Sequence, residues 1–196
     1  MRIILASASP RRSDLLTQMG LKFEVIPSDQ EEKVVDDLPP HRLVVELALK
    51  KVESVAKRVQ GQALIIGADT IVVKGDKVLG KPKDEDEAFR MLMELQGQVH
   101  EVITGLAVME VPARKCVTAY EKTVVEMASL TRQEVEGYIR TGEPMDKAGA
   151  YGIQGLGGML IKRIEGCYYN VVGLPIHRLW MILKEFGVEV FTGQAV

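Results

Sequence analysis

Arg2-Ile3-Ile4-Leu5-Ala6-Ser7-Ala8-Ser9-Pro10-Arg11-Arg12 opens the chain, and its reading decides the fold class. The apolar run at 2–6 has the length of a buried strand. Ser9 is a good N-cap and Pro10 a good first helical residue for a helix over 10–19, which puts Leu15, Leu16 and Met19 on one face. The opening is therefore strand, turn, helix. Outward from it the same alternation continues. A strand is expected at 22–26, then a polar loop at 27–37, and Pro39-Pro40 starts a helix running to about Val59. In that helix Leu43, Leu47, Val55 and Val59, with Val44, Ala48, Val52 and Ala56 beside them, form an apolar stripe, while Glu46, Lys50, Lys57 and Arg58 can face water.

A strand at 63–73 turns through Lys74-Gly75-Asp76-Lys77 into Val78-Leu79 as a hairpin. A helix follows at 84–95. Two long β-rich segments, 99–111 and 116–127, meet at Pro112 and read as antiparallel. Thr131 caps the next helix, with Glu134 three residues on to complete a capping box. After a glycine-rich stretch, 159–164 and 168–172 read as strands around a Glu165-Gly166 turn, and 175–186 as the last helix. The expected architecture is α/β with a mixed sheet, without internal repeats or low-complexity segments.

With 196 residues, 46% hydrophobic and 27% charged, the chain has the make-up of one globular domain over 1–196, with lobes at most. Lys and Arg number 25 against 27 Asp and Glu, a formal net charge of −2. That balance lacks the footprint of a general nucleic-acid binder, so any anion site must be local. Cys116 and Cys167 form neither a CxxC nor a Cys/His cluster, which argues against a disulfide framework or structural zinc and for a reduced, cytoplasmic setting. No apolar run approaches the roughly 18 residues of a membrane span.

Four stretches could carry chemistry. Arg11 and Arg12 fall in the first turn of a helix, where the macrodipole is already positive, so an anion or a carboxylate should join them. Backbone N–H groups and two guanidinium forks would make a phosphate cradle there; the alternative is two solvated arginines pairing with acids such as Asp14. In Gly67-Ala68-Asp69-Thr70 a carboxylate is embedded in an apolar strand. It needs a cation, a metal or several donors, because unpaired burial costs several kcal/mol; otherwise Asp69 only satisfies backbone groups at a bulge marked by Gly67. Gly80-Lys81-Pro82 holds a lysine between a flexible and a rigid residue, and Glu31-Glu32 could supply a magnesium ligand, although both are also ordinary solvated loop chemistry. The stretch from Gly142 to Gly155 is dense in glycine and either approaches a ligand or makes tight turns. It matches neither the GxxxxGK[ST] nor the GxGxxG fingerprint. His41, His100 and His177 are isolated and read as core or surface histidines, and Met91, Met93 and Met181 as gap-filling core.

Taken together, Ser7-Ala8-Ser9-Pro10-Arg11-Arg12, Glu31-Glu32, Gly67-Ala68-Asp69-Thr70, Gly80-Lys81-Pro82 and the run from Glu143 to Gly155 closely resemble the Maf family of nucleoside triphosphate pyrophosphatases, over residues 3–186. The resemblance implies an elongated mixed sheet flanked by helices, of the inosine triphosphatase-like type, with two lobes and a central cleft. It implies hydrolysis of a nucleoside triphosphate to the monophosphate and pyrophosphate with a divalent metal, Mg2+ or Mn2+. The arginine pair after Ser-Pro, Ala-Asp-Thr and Tyr-Gly-Ile-Gln-Gly look like the branch acting on dTTP and UTP. The branch acting on 7-methyl-GTP typically has Trp-Arg after Ser-Pro and Ser-Asp-Gln in the middle.

The roles that follow from the resemblance are Asp69 as catalytic proton acceptor and Arg11, Thr70 and Gln154 as specificity determinants. Ser7, Arg12, Lys51 and Lys81 join the substrate-binding set, Lys51 rather than Lys50 by the family pattern. Glu32, with Asp69, is the expected metal anchor. The residue chemistry agrees. Attack on the α-phosphorus needs a water, a base and neutralisation of the leaving pyrophosphate, and Gln154 offers both a donor and an acceptor to the O4/N3 edge of uracil or thymine. The resemblance also carries a homodimer and an association with septum formation and cell-division arrest. The expected partners are thus a nucleoside triphosphate and a second copy of the chain, with no nucleic acid or membrane. The alternative class is a nucleotide-binding regulator whose hydrolysis is incidental, though binding alone would not require a carboxylate at Asp69.

Overall fold

The computed structural model describes residues 1–29 and 38–191. Strand β1 (Arg2–Leu5) leads into helix α1 (Pro10–Gln18), followed by the short strand β2 (Glu24–Val25) and helix α2 (Pro40–Ala56). Strands β3 (Ala63–Lys74) and β4 (Lys77–Leu79), helix α3 (Glu85–Leu95), strands β5 (Val99–Val111) and β6 (Cys116–Met127) and helix α4 (Arg132–Ile139) come next. Strand β7 (Ile161–Glu165) and helices α5 (Tyr168–Val172) and α6 (Ile176–Glu185) complete the chain. The expected loop at 27–37, with Glu31 and Glu32, lies almost wholly outside the described residues.

The seven strands form one sheet in the order β2-β1-β3-β5-β6-β7, with β4 paired to β3. It is mixed, as expected. β1 runs parallel to both β2 and β3, while β4 is antiparallel to β3 and β7 antiparallel to β6. Residues 63–69 of β3 are all buried, the continuous apolar pattern of a strand paired on both edges. The four residues between β5 and β6 leave room only for a chain reversal, closed by Glu110 N donating to Lys115 O at 2.9 Å.

The chain divides into two compact units, the first made of Met1–Asp69, Thr104–Glu121 and Gly173–Val196, the second of Thr70–Ile103 and Lys122–Val172. Each has an apolar cluster. In the first, Ile4, Ala48, Val52, Val55, Ile65 and Met109 pack together. In the second, Leu79, Leu92, Leu95, Val125, Val135 and Leu160 do so. The capping box at Thr131 and Glu134 is formed on α4, with both reciprocal bonds in place.

Several local expectations are corrected. Residues 168–172 are helical rather than extended. A short apolar run has no periodicity that separates the two states. Here the choice is made by Asn170, whose buried Nδ2 donates to Val102 O at 3.0 Å and Thr123 Oγ1 at 2.9 Å. Residues 159 and 160 belong to a 3-10 turn rather than to β7. Helix α2 stops at Ala56, short of Val59, as Arg58 N donates to Val55 O in a tighter turn. Met181 is 46% exposed, because the buried stripe of α6 is Leu179, Ile182 and Leu183. Gly67 lies under α2. A Cβ there would lie 2.6 Å from Val52 Cγ2 and 2.7 Å from Ala48 O, so its role is close packing of α2 on β3.

Candidate active site

In the first unit, Ala6 N donates to Ile66 O at 2.7 Å and extends the β1–β3 pairing beyond the last strand residue. The chain then turns through Ser7 into α1. Ser9 occupies the N-cap position without a side-chain cap bond. Its amide instead donates to Ser7 Oγ at 3.2 Å. The same oxygen accepts from Arg12 Nη1 at 3.1 Å, and Arg12 Nε donates to Gly173 O at 2.8 Å. Arg12 is buried, which excludes the solvated-pair alternative for it, while Asp14 is exposed and Arg11 half-buried. No acidic residue stands in the first turn of α1. Two guanidinium groups and the helix dipole therefore concentrate positive charge there.

Asp69 is 5% exposed in β3 and Lys51 8% exposed in α2, and the lysine Nζ donates to Asp69 Oδ1. The helix can deliver that lysine because its backbone rests directly on glycines. Besides Gly67, a Cβ on Gly105 of β5 would stand 2.2 Å from Val44 O. Lys50, one residue earlier, faces outward and lies 3.8 Å from Glu46 across a helical turn. By strand register Ser7 follows β1 where Ala68 stands in β3, so the serine–arginine turn and the buried carboxylate share one end of the β1–β3 pair. Alternation along β3 turns the half-buried Thr70 to the face opposite Asp69.

In the second unit, Lys81 is exposed beside Gly80, whose carbonyl accepts from Gly149 N at 3.0 Å. That bond ties the Gly-Lys-Pro segment to the glycine-rich stretch, which folds as three short 3-10 turns at Glu143–Asp146, Ala148–Ala150 and Gly155–Leu160. Gly149 adopts φ +69°, with a would-be Cβ 2.9 Å from Val72 Cγ2. Gln154 is exposed at the N-cap position of the last turn.

Sequence reasoning missed the carboxylate at the centre of this stretch. Glu143 Oε1 accepts from Gly157 N and from Tyr138 Oη, each at 2.9 Å, and Oε2 accepts from Leu156 N at 3.0 Å. Burial alone would raise the Glu143 carboxyl, but the Gly157 and Leu156 amides, the Tyr138 hydroxyl and Lys147 together hold it below the usual range. Burial, reinforced by Glu143, pushes the Tyr138 phenol up. Behind it, His100 Nε2 lies 2.6 Å from the Tyr151 hydroxyl, and burial, with Lys74, pushes this imidazole down to about 4. The spacing of Gly155 and Gly157 was the available signal, since a Cβ on either would come within 3.1 Å of a Glu143 oxygen. The Gly173 carbonyl under Arg12 had none.

Glu32 lies outside the described residues. Among those described, no group of three or more His, Cys, Asp or Glu side chains could cage a metal ion, and no helix is long and apolar enough to cross a membrane. Cys116 and Cys167 are free thiols.

A family model described as "Maf-like protein" matches residues 2–186. A protein of Acetivibrio thermocellus named dTTP/UTP pyrophosphatase is 52% identical over 195 residues, covering 96% of this chain and 97% of that one. One of the same name from Thermoanaerobacter sp. is 53% identical over 191 residues, covering 97% and 100%. Among solved structures, a HAM1 protein from Coxiella burnetii superposes with a TM-score of 0.52 at 16% identity, covering 94% of this chain and 99% of that chain, a likeness of fold.

Proposed function

Because the chain belongs to the Maf-like protein family, we propose that it is a nucleoside triphosphate pyrophosphatase hydrolysing dTTP and UTP, or modified pyrimidine nucleotides, to the monophosphate and pyrophosphate. The observation that carries the reading is the buried Lys51–Asp69 pair at the end of the β1–β3 pair that also bears Ser7 and Arg12. The names of the relatives support the substrate class.

In the proposed reaction a water attacks the α-phosphorus and gives its proton to Asp69. The bond between the α-phosphorus and the α–β bridging oxygen breaks, and pyrophosphate leaves with the electron pair. Arg11, Arg12, Lys51 and Lys81 hold phosphate oxygens and neutralise the leaving group. Ser7 holds the Arg12 fork, Thr70 and Arg11 help select the substrate, and Gln154 meets the pyrimidine edge. A hard divalent cation at a phosphate site needs only one or two carboxylates, taking its other ligands from phosphates and water. Asp69, with Glu32 from the loop outside the described residues, would supply that donor set for Mg2+ or Mn2+, which would polarise the phosphate when bound. The free thiols agree with a reduced cytoplasmic setting, and a homodimer completes the reading.

The test is a panel of nucleoside and deoxynucleoside triphosphates with Mg2+ or Mn2+, scoring pyrophosphate against orthophosphate, with Asp69→Asn alongside. Pyrophosphate released selectively from dTTP and UTP, and reduced by about a factor of 10³ in the variant, is the expected result. Turnover by Asp69→Asn near that of the wild type removes Asp69 as the base. The division-arrest association is checked by the same variant: division timing controlled normally by an inactive Asp69→Asn protein favours a binding regulator.

A further inference from the structure

Gln154 is flanked on both sides by tethers that converge on one tyrosine–carboxylate pair. Before it, the Gly152 amide donates to Tyr138 Oη at 3.4 Å, next to the buried Tyr151 ring whose hydroxyl meets His100. After it, the amides of Leu156 and Gly157 donate to the two oxygens of Glu143 at 3.0 and 2.9 Å. Tyr138 closes the circuit on Glu143 Oε1. Glycine leaves the room, since a Cβ on Gly155 would stand 2.7 Å from Glu143 Oε2 and one on Gly157 2.5 Å from the Tyr138 hydroxyl.

Hydrogen bonds to an ionised carboxylate are stronger than neutral ones, so Glu143 holds the Leu156 and Gly157 amides firmly, while the longer Gly152 bond to the Tyr138 hydroxyl is the weaker restraint. A side chain that reads a base must be held to a fraction of an ångström if it is to discriminate. We infer that Glu143 and Tyr138 are positioning residues for base selection, fixing the backbone on either side of Gln154 and through it the direction of the amide. The inference rests on the reading of Gln154 as the group that meets the pyrimidine.

Pyrophosphate release from dTTP and from dGTP by Glu143→Gln, Tyr138→Phe and Gln154→Ala, singly and in pairs, tests it. Glu143→Gln and Tyr138→Phe should each lower the preference for dTTP by about tenfold, with the loss in KM for dTTP more than in kcat. Neither should lower it further once residue 154 is alanine, the non-additivity of groups acting through one another. Amide hydrogen exchange over 152–158 should speed up in Glu143→Gln and stay unchanged in Gln154→Ala. Unchanged preference in both clasp variants while Gln154→Ala loses it overturns the inference, as does a loss fully additive with that of Gln154→Ala. Wild-type preference in Gln154→Ala, or a wild-type protein that releases pyrophosphate from neither nucleotide, removes instead the reading beneath it. Should Glu143→Gln fail to fold, Tyr138→Phe decides alone, because it keeps both amide bonds to the carboxylate.

Discussion

Asp69 and Lys51 are both buried and joined as an ion pair. Removing one partner of such a pair leaves an uncompensated charge, so Lys51→Met should destabilise the fold by roughly 3 to 5 kcal/mol in urea unfolding. Adding Asp69→Leu should recover most of that loss while the protein stays inactive. The carboxylate was legible in the sequence, since an acid inside Gly67-Ala68-Asp69-Thr70 interrupts an apolar strand and must find a partner there. Its partner was legible too, although only the family pattern singled it out. Lys51 stands four residues after Leu47 and four before Val55, within the buried stripe, whereas Lys50 stands four after Glu46 on the wet side. The Arg12 fork is different. Its acceptors include Ser7, five residues away, and the carbonyl of Gly173, 161 residues away, which no local pattern encodes.

Helix α2 owes its seat to Gly67 and Gly105, one on each of two neighbouring strands. Gly67→Ala must push Val52 and the Ala48 carbonyl aside. It should cost about 1 to 3 kcal/mol, the usual range for overpacking, and lower turnover as well, since Lys51 moves with the helix. Thermal unfolding and a pyrophosphate assay on the same sample read both effects. Thr131→Ala removes one half of the capping box on α4 and should cost about 1 kcal/mol. That cap was fully legible, because Thr131 and Glu134 are local. Helix α5 was not, because its state is decided by Asn170 reaching residues 47 and 68 positions away. Glycine seats share this limit: Gly67 is visible in the sequence, but the helix it accommodates is known only once the chain has folded.

Across the whole molecule, acid should act through His100. Its pKa of about 4 in the folded protein lies below the ordinary value near 6.5, so the unfolded chain binds the extra proton first. The stability this neutral imidazole contributes is full above pH 6.5 and lost as pH falls from there to about 4, amounting to about 3 kcal/mol. Urea unfolding at pH 7 and pH 4.5 should therefore show a smaller drop for His100→Gln than for the wild type. The mixed α/β class was legible from the alternation of periods, while the order β2-β1-β3-β5-β6-β7 was not, since pairing partners far apart in sequence leave no local mark. The path of the chain between the units has a genetic counterpart. It passes from one to the other at 69/70, 103/104, 121/122 and 172/173, three of these inside β3, β5 and β6. No single crossover between two related genes could exchange one unit intact, and each of those three breakpoints would splice a strand from two parents. Moving the second unit whole between relatives would take four crossovers, whereas a point substitution leaves every strand of one parentage.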